Sequence, residues 1–205
     1  MIHTRADERF QQLMLQYAQE DDAVRRTALE TVIWQEYGMS SAVCVVDMSG
    51  FSSITQRHGI VHYLSMITRM QRTAAPLIKS HGGSVVKFEA DNCYAVFSQT
   101  LDAIRACVSM QIAFEAVNIL TDPDLDLRVA CGIDFGEILM PHAEDFFGNC
   151  INRASKLGED LAQAGEILVG RAAMEQLPSN AGIAATPATF GVCGIQIEAS
   201  LISYT

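Results

Sequence analysis

The sequence predicts an α+β fold: a ferredoxin-like palm with a C-terminal αβ extension, preceded by N-terminal helices. Three observations predict it. Within residues 41–140 the apolar pattern alternates between strand-like and helix-like spacing, in the order β-α-β-β-α-β. Residues 1–38 differ from the rest and carry helical spacing. Of the 205 residues, 49% are apolar, enough to close a core of this size. The chain accordingly divides into an N-terminal amphipathic helical segment, 1–38, and a domain spanning 39–205.

The elements follow in order. Phe10, Leu13, Met14 and Tyr17 recur at helical spacing, as do Val24, Ala28, Leu29, Val32 and Ile33 after the acidic break QEDD at 19–22. These two apolar stripes need a surface to cover, either the main domain or a second chain. SAVCVV (41–46) is a short buried strand. Residues 51–81 are mostly helical and stop at Gly82-Gly83. SVVKFEA (84–90) and NCYAVFS (92–98) are strands around a tight turn at Ala90-Asp91-Asn92. A helix over about 100–118 puts Ile104, Val108, Ile112 and Ala116 on one face. LDLRVACGIDFGEILM (125–140) reads as a strand, a glycine-containing turn and a second strand. Residues 146–164 read as helix, GEILVG (165–170) as a short strand, and IQIEASLISY (195–204) as a closing strand. A βαββαβ palm leaves one sheet face open for a ligand or partner.

Composition excludes several function classes. A net charge of -10 argues against a nucleic-acid surface, which needs clustered Lys and Arg. A polyanionic substrate would need cations brought to it, as metal ions or a few placed basic side chains. No apolar run approaches the ~20 residues that span a bilayer, and MIHTRADERF lacks the apolar region of a secretory signal. Cys44, Cys93, Cys107, Cys131, Cys150 and Cys193 are scattered, without a CxxC or histidines at zinc-site spacing. They read as buried reduced thiols of a cytoplasmic protein.

The chemistry concentrates at strand ends. In VVDMSGFSSIT (45–55), Asp47 ends an apolar strand, and Asp91 sits in the turn between the next two strands. In a palm these ends converge, and two convergent carboxylates repel unless a divalent cation lies between them. The turn MSGFS opens a helix, where Ser49, Gly50 and Phe51 can bring backbone N–H groups to phosphate oxygens. Taken singly, Asp47 also reads as a helix N-cap and Asp91 as a turn residue.

Four segments in order resemble the class III nucleotidyl cyclase catalytic domain, the adenylate/guanylate cyclase family. VVDMSGFSSIT is similar to its D-hydrophobe-x-G-F-T segment and VVKFEADNCYAVF to its K-x-x-G-D segment. LRVACGIDFGEIL resembles its L-R-x-G-I-H-x-G-E strand pair, and DFFGNCINRASKL its D-x-x-G-x-x-V-N-x-A-S-R-L helix. The resemblance covers about residues 41–205. It implies that Asp47 and Asp91, with the Met48 carbonyl, hold two Mg²⁺ or Mn²⁺ ions, and that a nucleoside triphosphate is cyclised with release of pyrophosphate. Lys87 and Asp145 fall at the base-reading positions, as an adenine-type pair. Glu144, next to Asp145, is a possible substitute. Asn152 would hold the ribose. In this family the two metal acids come from one subunit and the base-reading pair and Asn from the other, so a homodimer with shared sites is implied.

The sequence departs from the pattern twice. The family's transition-state Arg is Lys156, on one helix face with Asn152. It either supplies the charge without Arg's planar fork, works with a neighbour such as Arg153, or is a solvated helix lysine. Ala90 stands where Gly is usual, and can make the turn only if its φ stays negative. Lys87 and Asp145 would also suit cytosine. Some short bacterial members make cyclic CMP or cyclic UMP in phage defence, and the chain resembles those in size and layout.

Overall fold

The computed structural model describes residues 5–123, 126–192 and 195–204; Cys193 lies outside them. Two helices, α1 (Arg5–Gln19) and α2 (Ala23–Tyr37), precede the sheet. The acidic break works as a cap: Asp22 accepts hydrogen bonds from the Val24 and Arg25 N–H groups at 3.0 and 2.9 Å. Leu13 and Ile33 are buried, and Phe10 packs against both Tyr37 and Phe147. The apolar stripes therefore cover part of the chain's own domain.

The palm follows as β1 (Gly38–Met48), α3 (Phe51–Ser80), β2 (Ser84–Glu89), β3 (Asn92–Phe97), α4 (Thr100–Asn118) and β4 (Val129–His142). The extension adds β5 (Asp145–Phe147), α5 (Asn149–Ser155), a π-helical turn (Lys156–Leu161), β6 (Ile167–Gly170), α6 (Arg171–Met174), β7 (Ala184–Val192) and β8 (Ile195–Ser203). The sheet order is β2-β3-β1-β4-β6-β8-β7, with β5 paired to β4. β1 is central, antiparallel to β3 and to β4. It is buried on both faces, which its continuous apolar run requires. Ala42, Cys44, Val46 and Met48 pack with α3 and α4, whereas Val43 and Val45 face α5 and Phe146. Alternation thus sends Asp47 to the α5 side of the sheet.

Three expectations need correction, and one strand was missed. Residues 125–140 do not fold as two strands, because β4 runs unbroken through Gly132 and Gly136. Those glycines serve close packing: a Cβ on Gly132 would collide with the Ala154 carbonyl and the Gly158 N–H. Residues 146–164 are not one helix but β5, α5 and the π-helical turn. On α4, Ile104 is buried, yet Ile112 and Ala116 are exposed. Steps of four residues drift by about 40° per step, so the buried stripe passes instead to Cys107, Met110, Gln111 and Phe114. Strand β7 carries Pro187 and Gly191 and was not legible as a strand; it lies at the sheet edge, where proline is tolerated.

Candidate active site

Asp47 and Asp91 occupy neighbouring strand tips. Asp47 is registered against Asn92 across β1 and β3, and the Met48 N–H donates to the Asp91 carbonyl at 3.3 Å. Asp47 is not a helix cap, since Gly50, at φ 96°, holds that position for α3. Burial, then the charges of Asp91, Glu159 and Asp160, push the Asp47 carboxyl up to about 7. The buried Tyr63 phenol stands beside the same acids, and burial and Asp91 together raise its pKa. At the helix start the Ser49 N–H is already committed, donating to the Arg128 carbonyl at 2.9 Å. The Phe51 side chain lies outside the described residues. The Asp91 turn also differs from expectation: Ala90 adopts φ 52°, the left-handed region, which the register between Glu89 and Asn92 imposes.

Lys87 and Asp145 meet. The segment before α5 is a hairpin with a two-residue turn at 143–144, in which His142 pairs with Asp145. The hairpin curls over the α5 face of the sheet and buries Phe146 among Val43, Val45, Val86 and Val96. That brings Asp145 Oδ1 to 3.4 Å from Lys87 Nζ, while Glu89 Oε2 lies at 3.2 Å. Partial burial draws the Lys87 pKa down, but Glu89 and Asp145 outweigh it and leave it raised. Asp145, not Glu144, is the partner.

Asn152 is exposed on α5, and Lys156 follows as the first residue of the π-helical turn. The Lys156 ammonium lies 3.4 Å from Asp160 Oδ2. Arg153 does not assist it. The Arg153 guanidinium is bound through Nε to the buried Asp134 and reaches the Phe135 carbonyl at 3.4 Å. Gly158 seats the turn on the sheet: a Cβ there would press on the Val45 carbonyl and Gly132 N.

Sequence reasoning missed Glu159, Asp160, Tyr63 and Tyr94 as members of this cluster. Glu159 and Asp160 lie on the π-helical turn and bear on Asp47 through their charges. The one available signal was Gly158 two residues after Lys156, a small residue where a helix must approach a strand. Tyr94 follows from alternation on β3, which puts it on the same face as Asp47.

A model of the adenylate and guanylate cyclase catalytic domain matches residues 35–190. The fold is similar to that of an adenylate/guanylate cyclase/hydrolase from Silicibacter pomeroyi (TM-score 0.68, 23% identity, covering 80% of this chain and 96% of that one). It is similar to adenylate cyclases from Trypanosoma brucei in their monomeric state (TM-score 0.68, 17% identity, 80% and 87% covered). It also resembles the non-canonical dimeric guanylyl cyclase domain of the RhoGC fusion protein from the aquatic fungus Blastocladiella emersonii (TM-score 0.69, 14% identity, 80% and 97% covered). No curated protein matches the sequence.

Proposed function

The chain belongs to the adenylate and guanylate cyclase catalytic domain family, and on that premise we propose that it is a metal-dependent nucleotidyl cyclase. It converts a nucleoside triphosphate, ATP foremost, to the 3′,5′-cyclic monophosphate and pyrophosphate. The observation that carries this reading is the placement of Asp47 and Asp91 at adjoining strand tips, with Asp47 pushed up to about 7 by burial and by surrounding carboxylates.

The donor set fits Mg²⁺ or Mn²⁺. Among the described residues no group of three or more acidic, histidine or cysteine side chains is placed to hold a metal ion, so Asp47 and Asp91 would act as a pair. Two carboxylates suit ions that take the rest of their shell from substrate phosphate and water. Asp47, Asp91 and the Met48 carbonyl would hold two such ions, which would make the ribose 3′-hydroxyl more acidic and neutralise triphosphate charge. The 3′-hydroxyl would give its proton to solvent, its oxygen attack the α-phosphorus in line, and pyrophosphate leave as the bond to the bridging β-phosphate oxygen breaks. Lys156 counters the charge that develops, and Asn152 steadies the ribose. With the Ser49 N–H held by the Arg128 carbonyl, the triphosphate would meet the helix start through the backbone of Gly50 and Phe51 and the Ser49 side chain.

Lys87 donates to a ring nitrogen and Asp145 accepts from an exocyclic amine, the pattern that adenine presents. Their 3.4 Å contact supports a single recognition unit. Cytosine presents the same pattern, so CTP is the runner-up substrate, in phage-defence signalling. The sites are shared between the subunits of a homodimer. The five described cysteines are free and buried, which suits the cytoplasm.

Incubation with each of ATP, GTP, CTP and UTP plus Mn²⁺, followed by product analysis, tests the reading. A cyclic product with pyrophosphate supports it and names the base. Nucleotide binding without product would instead make the chain a degenerate nucleotide-binding module, a reading favoured by the pairing of Lys156 with Asp160.

A further inference from the structure

Tyr94 stands on the palm face between groups that the proposed reaction uses separately. It is registered against Lys87 of β2 on one side and Val45 of β1, two residues before Asp47, on the other. Its ring lies 5.5 Å from the Lys87 ammonium. The same ring meets Phe146, the residue after Asp145, edge-on at 6.2 Å. Its hydroxyl donates to Glu159 Oε1 at 3.1 Å, three residues beyond Lys156. One side chain thus touches the base-reading ammonium, the hairpin of the base-reading carboxylate and the turn that carries the catalytic cation.

Lys87 has competing partners. Glu89 and Asp145 each engage its ammonium, and Glu89 is the more exposed of the two, at 66% against 35%. An ammonium has three N–H donors. A ring face attracts the charge without consuming a directed donor. The ring of Tyr94 therefore holds the ammonium over the palm while leaving an N–H for a nucleobase. An aliphatic side chain would fill the space without the attraction, and Lys87 would swing toward Glu89 and solvent.

Resting on the cyclase reading above, we propose that Tyr94 is a specificity-setting positioning residue. Its ring aims Lys87 at the nucleobase, and its hydroxyl holds Glu159 so that base recognition is tied to the turn bearing Lys156. The test uses the four 3′-deoxynucleoside triphosphates, which lack the attacking hydroxyl, bound with Mn²⁺ to the wild type, Tyr94→Phe and Tyr94→Met. Tyr94→Phe keeps the wild-type ratio of affinities between the preferred base and the others. Tyr94→Met loses about two- to fivefold of that ratio. In turnover with the natural triphosphate, Tyr94→Phe lowers kcat and leaves KM unchanged. If circular dichroism shows Tyr94→Met unfolded, trifluorophenylalanine at position 94, equal in shape but weaker in π-face charge, replaces it. A wild-type ratio of one, or an unchanged ratio in the ring-weakened variants, overturns the inference and leaves the cyclase reading standing. Tyr94→Phe with wild-type kcat overturns the hydroxyl's part. Failure of the wild type to bind any analogue overturns the inference, whereas absence of cyclic product from all four natural triphosphates overturns the cyclase reading.

Discussion

The Lys156 ammonium rests 3.4 Å from Asp160 Oδ2, four residues on within the same π-helical turn. Both side chains are substantially exposed, at 37% and 61%, so the pair is worth at most about 1 kcal/mol and parks the lysine without locking it. Lys156→Ala is expected to lower kcat by about 10²–10³-fold, the cost of removing one placed donor from a developing charge. Lys156→Arg should match or exceed the wild type, because a guanidinium can grip two phosphate oxygens. Steady-state rates of cyclic nucleotide formation check both. An unchanged rate in Lys156→Ala would return this residue to the solvated surface.

The proposed sharing of the site between subunits predicts complementation. Asp47→Ala and Asn152→Ala should each be inactive alone, since each destroys both sites of its own homodimer. Mixing them assembles heterodimers with one intact site, so activity should return in part. Activity measured across mixing ratios checks this, and a mixture that stays inactive counts against a shared site.

At the Asp91 turn, Ala90 is held at φ 52°. Left-handed backbone costs a residue with a Cβ roughly 1–2 kcal/mol, and glycine nothing. Glycine also loses more entropy on folding, which offsets part of the gain. Ala90→Gly is therefore expected to stabilise the chain by roughly 0.5–1 kcal/mol, or about 1–4 °C in Tm at this size. Differential scanning calorimetry decides the sign. A lowered Tm would mean that the turn is not strained at Ala90.

The palm was legible because its strands and helices have distinct apolar periods, and because Asp47 and Asp91 interrupt apolar or turn sequence where a charge is out of place. The Lys87–Asp145 contact could be anticipated from the resemblance, but not the hairpin that makes it. Nothing local in MPHAEDFF announces that Phe146 will bury itself among Val43, Val86 and Val96. The π-helical turn was hidden for a related reason. Its register depends on Gly158 meeting Gly132 of a strand 26 positions earlier, a tertiary contact that overrides the helical pattern of residues 146–164. Arg153 looked like a spare cation because its partner, Asp134, sits on β4 inside an apolar stretch.

That ion pair predicts an asymmetry. Asp134 is buried to 1% exposure, whereas Arg153 is 47% exposed. Arg153→Met leaves a buried carboxylate without its partner, a loss of order 3 kcal/mol. Asp134→Asn leaves a guanidinium that water can solvate, and should cost about 1 kcal/mol. Burial raises the Asp134 pKa even with the Arg153 charge opposing it. The folded chain thus retains a proton that the unfolded chain gives up, and stability falls as pH rises. Without Arg153 that fall steepens, so Arg153→Met should be more destabilising at pH 8 than at pH 5. Urea denaturation at the two pH values measures it, and equal losses would show that Asp134 is not the group responsible.

Asp47 carries the same logic to the proposed metal site. Its carboxyl is pushed up to about 7 in the folded chain, against 3.8 for an ordinary Asp, by burial first and then by the charges of Asp91, Glu159 and Asp160. Between those values the folded state holds a proton that the unfolded state has released. Stability should therefore decline as pH rises from 4 through 7, and Asp47→Asn should flatten that decline. A divalent cation must displace the same proton. Apparent Mg²⁺ or Mn²⁺ affinity should fall about tenfold per pH unit below 7 and level off above it. Calorimetric titrations in buffers of different ionisation enthalpy should register about half a proton released per binding event at pH 7 and almost none at pH 8.5. Asp47→Asn should bind cations weakly and without this proton release. If wild-type affinity is instead flat from pH 6 to 8.5, Asp47 does not hold a proton that the cation must displace.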